Sequence, residues 1–126
     1  MLVLDAGGLS HLAQRSRPAA ALILALRREG LWPPVVPSAV LVESLTGQAG
    51  RDAAPDRLLK GCDVVSALPE SLARRAAALR HQARQGSAVD AIVVATAEPG
   101  GTVLTGDLTD LRALAVHARD VVIARV

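Results

Sequence analysis

Two rhythms of apolar and polar positions alternate along the 126-residue chain. Short solid apolar runs bounded by turn residues read as buried strands. Stretches with apolar positions three and four apart read as helices. "MLVLD" (1–5), ended by a carboxylate and Gly7-Gly8, predicts a strand with a sharp exit. Pro18 to Glu29 predicts a helix, with Pro18 in its first turn, Gly30 at its cap, and Ala19, Leu22, Ile23 and Leu26 on one face. "PPVVPS" (33–38) is a brief proline-pinned strand, after which Ser38 caps a helix running to about Thr46. A short helix over 52–61, a strand over 62–68 and a helix over 69–84 follow, the last with Leu72, Ala76, Leu79 and Ala83 inward. Ser87 opens another helix, stopped at Pro99-Gly100-Gly101. The pattern closes with a strand over 102–105, a helix over 108–116 and a strand over 120–126.

Strands separated throughout by helices imply right-handed crossovers and a parallel sheet covered on both faces. The expected fold is α/β, a three-layer α/β/α sandwich around a five-stranded parallel sheet, in a single domain spanning 1–126. Ligands in such sheets bind beyond the carboxyl ends of the strands, near the point where strand order reverses. Asp5 and Asp107 each follow a predicted strand end, which directs attention there.

Composition sharpens this picture. Hydrophobic residues make up 51% of the chain, yet Phe and Tyr are absent and Trp32 is the lone aromatic. The core must be Leu, Val, Ile and Ala, which suits strands buried on both faces and helices packed closely upon them. The runs "AAALILAL" and "AIVVATA" are far short of the roughly 20 residues a membrane span needs. The opening residues read as a strand rather than a leader, so a cytoplasmic location is expected. Cys62 stands alone, which fits a reducing compartment and a small packed residue. Lys60 is the only basic residue that is not arginine among 14, at a net charge of +2. Arginine suits bidentate phosphate contacts, and a GC-rich coding sequence would enrich it equally.

Taken singly, the acids have structural explanations. Asp5 can cap the helix after Gly7-Gly8, "SAVD" (87–90) is a capping box with Asp90 as its acid, and Asp107 and Asp110 suit the start of the last helix. Glu43 fits no capping box and has Leu41, Val42 and Leu45 around it, so its carboxylate is expected near packed surface. Taken together, Asp5, Glu43, Asp90 and Asp107 come from separate elements that can converge on one sheet edge. Gathered carboxylates repel unless a cation joins them, and hard ions such as Mg²⁺ or Mn²⁺ prefer oxygen ligands.

The segments "VLDAGGLSHLAQR", "VPSAVLVES", "SAVDAIVVATA" and "TVLTGDLTDLRALA" resemble, in this order, those of PIN-domain proteins, closest to the VapC-type toxins of bacterial toxin–antitoxin pairs. The resemblance implies a Mg²⁺- or Mn²⁺-dependent endoribonuclease with Asp5, Glu43, Asp90 and Asp107 as its metal-binding and catalytic acids, Asp5, Asp90 and Asp107 holding the ion most directly. Glu43 would position or partly deprotonate the attacking water. Asp110 matches an outer-shell acid, and Thr105 can supply a hydroxyl nearby. Arg15 and Arg112 are the expected phosphate contacts by proximity in sequence. A VapB-like antitoxin, a homodimer and an RNA substrate are the implied partners. Gly7 departs from the family, where many members carry Ser or Asn. That departure keeps open a second reading, a catalytically weak module that binds a metal or a partner. A phosphoacceptor receiver is disfavoured, because no acid pair follows the first strand and Lys60 is the only lysine.

Overall fold

The computed structural model describes residues 1–126. In chain order its elements are β1 (Leu2–Leu4), α1 (Ala6–Ala13), α2 (Arg17–Arg28), β2 (Val35–Pro37), α3 (Ser38–Ser44) and α4 (Ala49–Leu59). These are followed by β3 (Asp63–Val65), α5 (Glu70–Ala83), α6 (Ala88–Ala97), β4 (Thr102–Thr105), α7 (Thr109–Ala115) and β5 (Val122–Arg125). The five strands form one sheet in the order β3-β2-β1-β4-β5, and every pairing is parallel. Val3 sits between Val35 and Val103, so the central strand is buried on both faces as its unbroken apolar run requires.

The order reverses between β1 and β4. Connections leaving β1 run to one side and connections returning to β4 run to the other. Right-handed crossovers therefore put α1 to α4 on one face and α5 to α7 on the opposite face. α1 packs on β1 and β4 with α2 and α4 behind it, while α6 packs on β1, β2 and β4 with α5 and α7 around it. Nineteen buried apolar residues form one continuous cluster through these layers. This is the three-layer α/β/α architecture expected from the pattern of runs. No helix is long and apolar enough to cross a membrane.

The first glycine pair does not end in a loop. Gly7 and Gly8 lie inside α1, which starts directly at Ala6. The reason is a close approach: a Cβ on Gly8 would run into the Leu104 carbonyl, and one on Gly7 would stand 2.7 Å from the Gly106 nitrogen. Helical glycine is normally unfavourable, but here tertiary contact overrides local preference.

Ser38 is also not a cap. It is the first residue of α3, Pro37 holds the cap position without a side-chain bond, and the Ser38 hydroxyl donates to the Ser66 carbonyl at 3.3 Å. The expected start of α4 at residue 52 is corrected to Ala49. Asp52, in the first turn of α4, is only 5% exposed. Its carboxylate accepts from Thr46 N at 2.8 Å, the Thr46 hydroxyl at 2.9 Å and Gly47 N at 2.9 Å. The turn between α3 and α4 is thus fastened from within the helix.

Those bonds, led by the one from the Thr46 backbone, hold the Asp52 carboxyl below its ordinary value of 3.8. A depressed carboxyl contributes stability above the unfolded value and loses it as pH falls through the folded one. Asp52→Asn is therefore expected to melt below the parent protein at neutral pH, with the gap closing in acid. A gap that stayed constant from pH 7 to pH 3 would contradict the clasp.

α6 is anchored at its other end by Glu98. Arg75 Nε donates to its Oε1 at 2.7 Å and Arg75 Nη2 to its Oε2 at 2.8 Å, while Arg119 N donates to Oε2 at 2.8 Å. This bidentate pair joins α5, the end of α6 and the turn before β5.

Candidate functional site

Asp5 leaves β1 at the switch point and caps α1, its Oδ1 accepting from Gly8 N at 2.7 Å. Its Oδ2 accepts from the Thr105 hydroxyl at 2.5 Å. Thr105 is fully buried at the carboxyl end of β4, and its oxygen also accepts from Asp107 N at 3.0 Å. One hydroxyl therefore ties the two central strand ends together. Half-burial pushes the Asp5 carboxyl above its ordinary value of 3.8, the Asp90 charge pushes in the same direction, and the bonds from Thr105 and Gly8 oppose it. Asp5 and Asp90 thus feel each other across the gap between β1 and α6.

Asp90 also fulfils its capping role. The Ser87 hydroxyl accepts from Asp90 N at 3.0 Å, and Asp90 Oδ2 accepts from Ser87 N at 3.1 Å. That leaves Oδ1 uncommitted. Neither Asp5 nor Asp90 is in a salt bridge; the two bridges of the molecule are Arg74–Glu70 and Arg75–Glu98.

The remaining candidates lie further out. Asp107 is exposed, one residue before the cap of α7, and its Oδ1 accepts from Thr109 N at 3.1 Å. Asp110 accepts from Gln85 Nε2 at 3.0 Å, which links α7 to the end of α5. Glu43 is exposed rather than set against packed surface, because α3 turns Val40 inward and leaves Val42 82% exposed beside it. Glu43 lines a groove with Ala6, Ser10 and Arg51. No three His, Cys, Asp or Glu side chains form a group that could hold a metal ion by themselves.

The donor chemistry that is present nonetheless suits a hard, hydrated cation. Mg²⁺ is commonly held by one or two carboxylates and keeps several waters. Two mutually repelling carboxylates without a basic partner match that requirement. Asp5 and Asp90 would hold such an ion, with Asp107 the next oxygen donor along the same edge.

The arginines divide. Arg15 lines a depression between α1, α2 and α4, whereas Arg112 lines a separate shallow one with Val116, Val121 and Ile123. These two depressions share no residue, so Arg15 and Arg112 do not flank one cleft. Cys62 is half-buried, and its thiol, pushed up to about 11 by burial, is a packed group rather than a nucleophile. Arg27, Arg51 and Arg57, which line the depressions near Glu43 and Arg15, were not singled out by sequence. They come from different helices, and only the fold brings them together.

An α/β protein with a five-stranded parallel sheet and its acids at the switch point is the class these features define. No family model matches the chain, and none of the curated proteins does. Among solved structures it is similar to the crystal structure of PAE2754 from Pyrobaculum aerophilum, with a TM-score of 0.59 and 17% identity. The likeness covers 98% of this chain and 92% of that one. At that identity it speaks for the fold.

Proposed function

We propose that this chain is a Mg²⁺- or Mn²⁺-dependent endoribonuclease of the PIN-domain type, the toxin of a VapBC-like pair. The observation that carries the reading is the Asp5–Asp90 pair: two acids from β1's end and the start of α6, burial and the charge of Asp90 raising the Asp5 carboxyl, with neither acid in a salt bridge. When bound, a divalent ion supplies a more acidic water and stabilises charge on the phosphate oxygens. Asp5 and Asp90 would bind that ion, and Asp107 would complete its surroundings. Thr105 fixes the direction in which Asp5 presents its carboxylate. Glu43, at the mouth of the neighbouring groove, would orient the attacking water or accept its proton. A basic antitoxin segment would fit the same acids, which makes a VapB-like partner part of the proposal.

Because burial and Asp90 raise the Asp5 carboxyl, protons compete with the cation more strongly there than at an ordinary aspartate. Cation affinity should weaken as pH falls through that raised value. The test pairs calorimetric titration of Mn²⁺ with cleavage of a structured RNA, in the parent protein and in Asp90→Asn. Asparagine can still accept from Ser87 N, so the fold is retained while the charge is lost. Heat and cleavage should vanish together in the variant; cleavage surviving at parental rate would end the proposal. The alternative, a binding module without turnover, has Gly7 on its side, since no hydroxyl or amide stands there to steady a water. Mn²⁺ heat with no cleavage would select that alternative.

A further inference from the structure

The sequence provides one aromatic ring, and the fold spends it beside an arginine. Trp32 lies half-buried between α2 and β2, with the Arg27 guanidinium over its ring, 4.9 Å from the centroid. A guanidinium resting over an indole ring loses less freedom when it binds an anion than one free in solvent. Arg27 is therefore a pre-organised donor, and Trp32 is the residue that positions it.

Arg27 is not alone. Arg15, from the turn after α1, and Arg57, from the last turn of α4, line the same depression of about 280 Å³. All three are exposed and none belongs to either salt bridge of the molecule. No acid lines this depression, and its floor is apolar, with Leu12, Ile23 and Leu58. Excess positive charge above an apolar floor suits a ligand with phosphates and flat base faces.

The depression also continues. Ala13, Gln14 and Ala54 line both it and the neighbouring groove of about 350 Å³, whose far side carries Glu43, Arg51 and Ala6, the residue after Asp5. The two hollows thus adjoin across these three residues, and together they make a channel from the residue after Asp5 toward the Arg27–Trp32 stack. We infer that this channel carries the single-stranded flank of the RNA substrate, with Arg15, Arg27 and Arg57 neutralising phosphates on the side away from the scissile bond. The inference rests on the nuclease reading for the direction of the strand. An acidic peptide is the weaker occupant, because it would meet Glu43 and Asp5 at the channel's other end without a metal-seeking phosphate to offer.

The test is binding of a fluorescently labelled single-stranded RNA of about ten nucleotides, followed by anisotropy across a salt series in EDTA, so that hydrolysis plays no part. Arg15→Gln, Arg27→Gln and Arg57→Gln should each weaken binding several-fold and reduce the log–log salt slope by about 0.7. Arg84→Gln, at the end of α5 on the opposite face, should leave both unchanged. Trp32→Leu should weaken binding as Arg27→Gln does, whereas Trp32→Phe, which keeps a ring face, should restore it. Parental affinity and slope in all three arginine variants would overturn the inference. So would an oligoglutamate peptide that displaces the RNA at equal affinity through the same arginines. Failure of the nuclease reading alone looks different: RNA stays intact in Mn²⁺ while the arginine variants still lose affinity.

Discussion

Asp5→Asn is expected to abolish RNA cleavage and, in the same protein, to raise the melting temperature without metal. The two effects have one origin. A half-buried carboxylate repelled by the Asp90 charge is desolvated, and under the proposed function that same charge is what binds the ion. Asparagine keeps the structural half of the role. Its carbonyl can accept from Gly8 N in the cap, and its amide can donate to the Thr105 oxygen. Removing the charge should therefore raise the melting temperature in the absence of metal, because the neutral side chain escapes both the desolvation and the repulsion from Asp90. Cleavage should fall roughly a thousand-fold or more, since several kcal/mol of charge stabilisation at the phosphate is lost with the ion. Differential scanning calorimetry in EDTA and an RNA assay in Mn²⁺ measure the two halves separately. A variant that melts lower and still cleaves would refute the assignment on both counts.

The second large effect concerns the glycines on which this geometry sits. Gly8→Ala should cost about 3 kcal/mol, because α1 must lift off the Leu104 carbonyl to admit a methyl group. Gly50→Ala is the internal control. Gly50 lies in α4 with open space around its Cβ position, so the same change there should stabilise by about 0.5 kcal/mol. Urea denaturation of both variants decides the matter; equal effects would mean that the contact between α1 and β4 is looser than described. Gly7→Ser follows the same logic. It would introduce a hydroxyl like that of many PIN-domain proteins, but its Cβ would stand 2.7 Å from the Gly106 nitrogen, so the change should lower stability rather than improve turnover.

The strands were legible because each is built on a short apolar run, and β4 was bounded correctly at Thr102 and Thr105, whereas the strand expected over 62–68 forms only over Asp63–Val65. The capping box at Ser87 and Asp90 was legible because both partners lie within four residues. The helix capped by Asp5 was expected, but its start at Ala6 was hidden by the glycines inside it, whose reason for being there is a strand about a hundred positions away. Asp52 was hidden in the same manner: an acid near a helix start resembles any other until the Thr46–Gly47 turn folds back onto it. Glu98 gave no signal at all, since Arg75 is on another helix and local pairing rules reach only three or four residues. At the site, the sequence identified which acids stand near the strand ends. It expected all four to converge and did not reveal that Glu43 and Asp107 face solvent, because side-chain direction depends on how α3 and α7 are tilted.

A core built without aromatic rings is nearly dark to optical methods. Near-ultraviolet absorbance and emission come from Trp32 alone, a half-buried side chain at the rim beside Arg27. Its signal follows the local state of that rim, whereas far-ultraviolet dichroism follows the helices as a whole. Two unfolding curves that separate would mean that the rim opens before the sheet yields.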